Sequence, residues 1–399
     1  MMRGQSSTRA KLILAGCFVI ASLQGDPLDS WMVYPGPGTV TSATFGNGLF
    51  LAGTSQAIFL SSDGVRWKVS SASEGLGWTS VAFGGGKFLA AGQNGSSKII
   101  QVSTNGWDWR TVWTGSVENI GPVTWNGKGY LGVINASPQS FYGYASVIRS
   151  LDGLSWDVPA PTGTGFINAV LSSPEGNWIG VGLSSDPRHD AAEISFSANG
   201  VLWNITADGL LNSGLTGIAF GNGRYVAVGQ GLGGMGFFYH SANGKAWAAK
   251  TIYGYTASSV AFGSGFFVAV CRPYSLDNYR VISSTDGVSW TPRATILVTL
   301  PYFDTVIHGQ DKFLAFGGNI VAVADFSPYF ESISLKTGEV ALHGVVPTGT
   351  NVLLESSADL KHWNVMTNLT PIEGKFDSRF ARHNQDKDFF RLRLPDGTQ

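Results

Sequence analysis

Ser61-Ser62-Asp63-Gly64-Val65-Arg66-Trp67 is one copy of a pattern, Ser-x-Asp/Asn-Gly-x-x-Trp, that returns at Ser103–Trp109, Ser150–Trp156, Ser197–Trp203, Ser241–Trp247 and Ser284–Trp290. Successive tryptophans stand 42, 47, 47, 44 and 43 residues apart. A near-constant period in this range marks a repeat architecture, in which one unit cannot bury its own apolar faces and its neighbours must do so.

A second pattern precedes the first in each unit: an apolar strand ends near Phe-Gly-x-Gly and is followed by an aromatic residue and a Val-Ala-Val-Gly-like strand. Its clearest copies are Phe45–Gly48, Phe83–Gly86, Phe220–Gly223 and Phe262–Gly265, with the aromatic at Phe50, Phe88, Tyr130, Trp178, Tyr225, Phe267 and Phe313. Each unit therefore translates into four strands. In the fifth they are expected over Gly217–Phe220, Arg224–Gly229, Gly236–Ser241 and Lys245–Lys250. We read Asp-Gly and Asn-Gly as two-residue hairpin turns, whose central positions need positive φ. The serine bonds back to the turn, and the tryptophan opens the fourth strand, where its ring covers the gap to the next sheet.

Units of this length with four strands each are the signature of a propeller. The chain is thus expected to be all-β, a seven-bladed β-propeller with a small C-terminal β-sandwich-like domain. The seventh unit, with strands expected at Asp304–His308, Lys312–Gly317 and Asn319–Phe326, lacks its own turn and tryptophan. Leu28–Tyr34, which carries Trp31, supplies the missing strand and closes the ring.

These units resemble the Asp-box (BNR) repeats of sialidase-like propellers over about residues 29–327. The usual Asp box has one more residue between Asp and Gly, so these are variant copies, and the resemblance implies a non-enzymatic branch.

Composition agrees with this reading. The chain has 53 Gly, 13 Trp, 12 Tyr and 24 Phe, and only 13% charged residues, against roughly 25% in an average domain. With 26 basic and 27 acidic residues, it has no excess charge to drive binding to nucleic acid or anionic lipid.

Residues 1–25 read as an export signal: Arg3, Arg9 and Lys11 precede the apolar Leu12–Leu23 run, which is too short to span a bilayer. The mature protein is expected to be secreted, periplasmic or at the cell surface. Leu14-Ala15-Gly16-Cys17 spells a lipobox, but the hydrophobic run before it is short, which ranks secretion above lipidation. Cys271 is then the only thiol left, and it reads as a buried apolar residue.

Residues 328–399 form the C-terminal β domain. Val352–Trp363, with Ser357-Ala358-Asp359-Leu360-Lys361-His362-Trp363, and the closing Arg391-Leu392-Arg393-Leu394 are similar to a β module at the C-termini of exported bacterial proteins. An eighth blade competes with this, although Leu360 replaces the turn glycine.

No nucleophile motif, cysteine pair or phosphate loop occurs, and the sequence implies no cofactor and no metal. His189 between Asp186 and Asp190 reads more readily as a solvated loop than as a metal ligand. The second-to-third strand loops, Asn135–Tyr144, Ser184–Ala191, Gln230–Gly236 and Arg272–Tyr279, are long and varied and share one face. Function concentrates on such loops over a rigid scaffold. Their Tyr142, Tyr144, Arg188, His189, Arg272, Tyr274 and Tyr279 form the candidate ligand-binding set. The expected function is that of a monomeric binding or scaffold protein recognising a glycan or a surface or exported protein. Plain loop filler is the bland reading of the same residues. A divergent sialidase-like glycoside hydrolase or lyase is the alternative, and it requires an acidic pair with arginines at the ring axis.

Overall fold

The computed structural model describes residues 12–13, 27–70, 73–135, 144–184, 191–211, 213–273, 281–293, 302–326, 329–336, 339–345, 352–357, 362, 364–369, 375–381 and 389–393. Seven four-stranded antiparallel sheets form a closed propeller. Blade 1 runs Val40–Gly46, Leu49–Thr54, Ile58–Ser61 and Lys68–Val69. Blade 2 follows with Gly77–Gly84, Lys87–Asn94, Ser97–Ser103 and Arg110–Gly115. Blade 3 is Asn119–Trp125, Tyr130–Asn135, Ala145–Ser150 and Ala160–Pro161. Blade 4 is Phe166–Ser172, Trp178–Leu183, Ala191–Ser197 and Asn204–Leu211. Blade 5 is Ser213–Gly221, Arg224–Gly231, Met235–Ser241 and Ala248–Tyr253, and blade 6 is Tyr255–Gly263, Phe266–Pro273, Val281–Ser284 and Thr291–Arg293.

Blade 7 joins Thr305–Gly309, Lys312–Gly317 and Ile320–Asp325 to an N-terminal strand, Met32–Pro35. That strand pairs antiparallel with the third, Met32 opposite Val323 and Pro35 opposite Ile320. Trp31, just before it, is buried. The first strands neighbour one another in order from blade 1 to blade 7 and back to blade 1.

By contacts the chain divides into Trp31–Gly309 with Phe313–Val323, and a second unit of Met1–Ser30, Gln310–Lys312 and Ala324–Gln399. The second unit holds two antiparallel sheets. One has three strands, Tyr329–Lys336, Glu339–Val345 and Lys375–Ala381. In the other, Val352–Ser357 lies between Asn364–Leu369 and Phe389–Arg393, and the two-residue strand Leu12–Ile13, from the segment read as an export signal, adds to Phe389–Phe390. This arrangement is not an eighth blade, which would be one four-stranded meander in chain order.

The tryptophan turn differs from the expected two-residue hairpin. In blade 5 the fourth strand starts at Ala248 rather than Lys245, because Lys245–Trp247 belong to the turn. Only the glycine has positive φ there (Gly64 at 76°, Gly244 at 70°), and the Asp or Asn before it does not. The side chains build the loop instead. Ser61 Oγ accepts from the Gly64 N–H at 2.9 Å, and Asp63 Oδ1 accepts from the Val65 and Arg66 N–H groups at 2.9 and 2.8 Å. The two-residue turns sit between the first and second strands, where Asn47 and Gly48 have φ of 49° and 73°, and Asn222 and Gly223 have 46° and 69°. Both central residues are left-handed there, as a type I′ turn demands.

Each indole seals a junction with the preceding blade. Trp67 meets Phe316 of blade 7 edge-on at 5.5 Å, and Trp290 lies 4.8 Å from Phe238 of blade 5. Trp109, Trp156, Trp203 and Trp247 join the apolar clusters between blades 1 and 2, 2 and 3, 3 and 4, and 4 and 5. The Asn-bearing turns let the ring N–H donate to the turn glycine's carbonyl, at 2.9 Å for Trp109, 3.3 Å for Trp203 and 3.1 Å for Trp247. In the Asp-bearing turns the buried N–H groups of Trp67, Trp156 and Trp290 have no partner among the described residues. Nothing in the hydrogen bonds of the turns accounts for the division.

The glycine of Phe-Gly-x-Gly has a steric task. A Cβ on Gly46 would stand 2.0 Å from the Phe83 ring of the next blade, on Gly84 2.3 Å from Trp125, and on Gly221 2.0 Å from Phe262. The same contact is made by Gly263 with His308 and, across the closure, by Gly309 with Phe45. A ring edge thus occupies the space that a side chain would take. A bulge in the first strands of blades 1, 2 and 5 adds a polar link. The Thr41 hydroxyl lies 2.9 Å from the Gly53 carbonyl and 2.7 Å from the Trp78 carbonyl of blade 2, and Thr79 bridges likewise to Ile120 of blade 3 at 2.8 Å.

Gly221→Ala should therefore lower the unfolding free energy by about 3 kcal/mol through overpacking. Gly48→Ala, where the Cβ meets open space at positive φ, should cost about 1 kcal/mol. Urea denaturation of both variants separates the effects, and equal costs would refute the steric role.

His308 replaces the usual aromatic ring and bonds through Nε2 to Ser264 Oγ at 3.0 Å. Burial pushes its imidazole down to about 4. The unfolded chain takes up this proton near 6.5 and the folded chain resists it until about 4, so stability drains as pH falls through that window, by roughly 3 kcal/mol in all. His308→Phe should keep the neutral-pH melting temperature and hold it further into acid. A parallel decline of variant and parent between these pH values would count against the assignment.

Candidate functional site

The loop-rich end of the ring is where the sequence placed a binding site. Tyr142, Arg188, His189, Tyr274 and Tyr279, like Asp186 and Asp190, lie outside the described residues. Tyr144 stands just before the third strand of blade 3 and is 46% exposed. Arg272, near the end of the second strand of blade 6, forms an ion pair with Asp304, just ahead of the first strand of blade 7. The structure thus brings Arg272 to the rim of the central channel and supplies a partner that the sequence reading did not name.

The channel is a cavity of about 470 Å³ walled by the first strands of all seven blades. Hydroxyls and amides dominate it: Thr41, Ser42, Thr79, Ser80, Asn135 and Asn168 recur with small apolar residues. Many of these groups already tie blade to blade. The Asn135 side chain exchanges two bonds with the Ile167 backbone, and Asn168 Nδ2 donates to the Leu215 carbonyl at 2.9 Å. Asp304 is the one carboxylate among the lining residues. The acidic pair that glycoside cleavage requires is not assembled there by the described residues.

A larger cavity, about 840 Å³, opens on the opposite face between blades 3 and 4. Its origin is a break in the pattern just described. At this junction Asn126 stands where Gly46 and Gly84 stand, and Ser172, paired with Trp178, stands where Phe45 and Phe83 stand. Neither the missing Cβ nor the filling ring is present, and space remains. Asn126 spans it instead, donating from Nδ2 to the Gly176 carbonyl at 2.6 Å.

Tyr130, Trp156 and Trp178 supply aromatic walls, and Lys128, Arg149, Asp152, Asp157 and Glu175 supply charge. Arg149 grips Asp157 Oδ2 through Nε at 2.9 Å and Nη2 at 2.8 Å, while its backbone N–H donates to Oδ1 at 2.6 Å. The backbone N–H groups of Ser155 and Leu154 hold the Asp152 carboxyl below its ordinary range. Glu175 is lowered too, first by the Ser173 hydroxyl. Tyr225 is raised, mainly by burial and then by the charge of Glu175. The sequence reading passed over this face because its turns are short and alike. The signal that would have found it is Asn126 in place of the glycine in the third unit and Ser172 in place of the aromatic in the fourth.

Cys271 is free and buried inside blade 6, and burial alone drives its thiol upward. Among the described residues no group of three or more His, Cys, Asp or Glu side chains is placed to hold a metal ion, and no helix is long and apolar enough to cross a membrane.

No family model matches the chain, and no curated protein matches it either. Among solved structures it is similar to YCF48 bound to a D1 peptide, at 16% identity over 77% of this chain and 99% of that one, with a TM-score of 0.55. PorZ, a surface component of the type-IX secretion system of Porphyromonas gingivalis, matches at 10% identity over 86% and 55% of the two chains, with a TM-score of 0.53. A GH74 xyloglucanase from Xanthomonas campestris matches at 13% identity over 80% and 60%, with a TM-score of 0.51. These likenesses establish the class of the molecule, a seven-bladed β-propeller. The same ring serves peptide binding in one of them and bears the name of a hydrolase in another, so function rests on the sites.

Proposed function

We propose that this chain is an exported, monomeric binding or scaffold protein whose loop-rich propeller face recognises a protein partner or a glycan. The observation that carries the reading is the Arg272–Asp304 pair on the rim of a channel otherwise lined by hydroxyl, amide and apolar groups. A half-exposed guanidinium beside long loops rich in tyrosine is suited to recognition, and Arg and Tyr are the residue types that anchor protein interfaces. The neighbours that bind a peptide or belong to a secretion system support the same role for a propeller of this kind. The alternative, a sialidase-like hydrolase or lyase, lacks its acidic pair among the described channel residues.

Replacing Tyr142, Arg188 and Arg272 together with alanine should leave the melting temperature nearly unchanged and weaken capture of the partner about tenfold or more. A glycan array and a pull-down from surface-protein extracts provide the readout, and unaltered binding in both would reject the proposal. Turnover of aryl glycosides or polysaccharides by the purified chain would favour the hydrolase instead.

A further inference from the structure

Asn-Gly occurs seven times in this chain, at Asn47, Asn94, Asn105, Asn126, Asn199, Asn222 and Asn243, and every copy lies among the described residues. The pair has a chemistry of its own, since Asn is a labile residue and a glycine carries no side chain to hinder approach of its nitrogen to the preceding Asn Cγ. The two can close a five-membered imide ring. Closure needs two freedoms: the carboxamide must swing toward the glycine nitrogen, and that N–H must not be held elsewhere.

Five of the seven copies are held by the fold. In the tryptophan turns of blades 2, 4 and 5, Oδ1 of Asn105, Asn199 and Asn243 accepts from the N–H groups two and three residues on, at 2.8 to 3.0 Å. The glycine N–H of each turn donates to the hydroxyl of Ser103, Ser197 or Ser241 at 2.8 or 2.9 Å. Asn126 Oδ1 is taken by the Lys128 and Gly129 N–H groups, while its Nδ2 crosses to the Gly176 carbonyl. Asn222 Nδ2 donates to the Gly265 and Thr285 carbonyls of blade 6 at 3.2 and 2.9 Å. Asn47 and Asn94 differ. Both are exposed, and among the described residues neither side chain makes a hydrogen bond. Asn47 lies in the first turn of blade 1, and Asn94 begins the turn between the second and third strands of blade 2, on the loop-rich face.

We propose that Asn47 and Asn94 are sites of spontaneous deamidation, and that the fold confines the reaction to them. The Gly48 or Gly95 nitrogen attacks Cγ; the N–Cγ bond forms, the Cγ–Nδ2 bond breaks, and Nδ2 leaves as ammonia carrying the glycine's proton. Water then opens the imide at one carbonyl to give aspartate or at the other to give isoaspartate, in which the main chain runs through the former side chain. Each event exchanges ammonia for water and adds one negative charge. At Asn94 that charge falls on the face of the long loops, so the surface presented there changes as the molecule ages. The proposal stands whether or not that face recognises a partner. In the tryptophan turns, by contrast, Asp63, Asp152 and Asp286 occupy the place of the three Asn residues, so the turn accommodates either residue and its bonds delay the exchange.

The test follows the purified full chain during storage at mildly alkaline pH. Peptide mapping by mass spectrometry counts acid for amide at each of the seven positions, and chromatography against synthetic isoaspartyl peptides separates the two products. Each hydrogen bond that has to open first slows closure severalfold, so Asn47 and Asn94 are expected to convert about tenfold or more faster than the other five. In urea, where the turns are gone, the seven rates should draw together. Ser241→Ala, which removes the acceptor of the Gly244 N–H, should quicken conversion at Asn243 and leave Asn94 unchanged, with the melting temperature checking that the ring stays folded. Seven similar rates in the folded chain, the same ranking folded and unfolded, or a held Asn converting as fast as Asn47 or Asn94 would overturn the proposal. So would a rate at Asn243 that Ser241→Ala does not alter.

Discussion

Two apolar faces on every four-stranded sheet are the constraint from which the rest of this ring follows. A sheet of four short strands cannot cover both of its faces, so each blade must be sandwiched, and only a closed circle leaves no blade with a bare face. The chain meets this constraint at three radii. Near the axis, Thr41 and Thr79 hydroxyls bridge to the next blade's backbone. At the ends of the first strands, a ring edge fills the space of a missing Cβ at Gly46, Gly84, Gly221, Gly263 and Gly309. Further out, the indoles close each gap against the preceding blade. Packing of this density resists any change of side-chain volume.

The turn that carries the tryptophan shows how one short motif meets several demands. Its serine and Asp or Asn satisfy the backbone N–H groups of the loop, and its glycine takes a positive φ. That glycine also lets the preceding blade come close: a Cβ on Gly64 would meet Leu314 at 2.9 Å, on Gly106 Leu60 at 2.4 Å, and on Gly244 Ile179 at 2.6 Å. The loop is thereby fixed in shape, and the indole after it is aimed at the junction. Asp and Asn are interchangeable in this scheme because both offer the Oδ1 acceptor. At Asp63 burial works against the charge, but bonds from the Arg66 and Val65 N–H groups win and the carboxyl is lowered.

Rigidity of this kind frees the edges of the blades for function, and the two ends of the ring differ in what they offer. One end carries the long loops and the Arg272–Asp304 pair. The other is built of short turns, and a cavity of about 840 Å³ opens on it where a junction departs from the rule. At that junction Asn126 and Ser172 replace the glycine and the ring, and a hydrogen bond across the gap substitutes for packing. Departures from a repeat's consensus are where a repeat protein can acquire a site without disturbing its neighbours, since each blade answers mainly to the two beside it.

From the sequence alone came the blade number, the four strands per blade, the closure by an N-terminal strand and the burial of Cys271, because these follow from period, alternation and composition, which are local. The Gly-x-Gly turns were legible for the same reason. The seven-residue tryptophan turn was misjudged as a two-residue hairpin: Asp-Gly fits a type I′ turn locally, but here the Asp or Asn side chain caps a longer loop. Only the tertiary structure decided what each Phe-Gly glycine touches, that Arg272 meets Asp304 thirty-two residues on, and that blades 3 and 4 part around a cavity. Those facts depend on which residues of separate units come face to face, and sequence spacing within a unit carries no information about the gap between two of them.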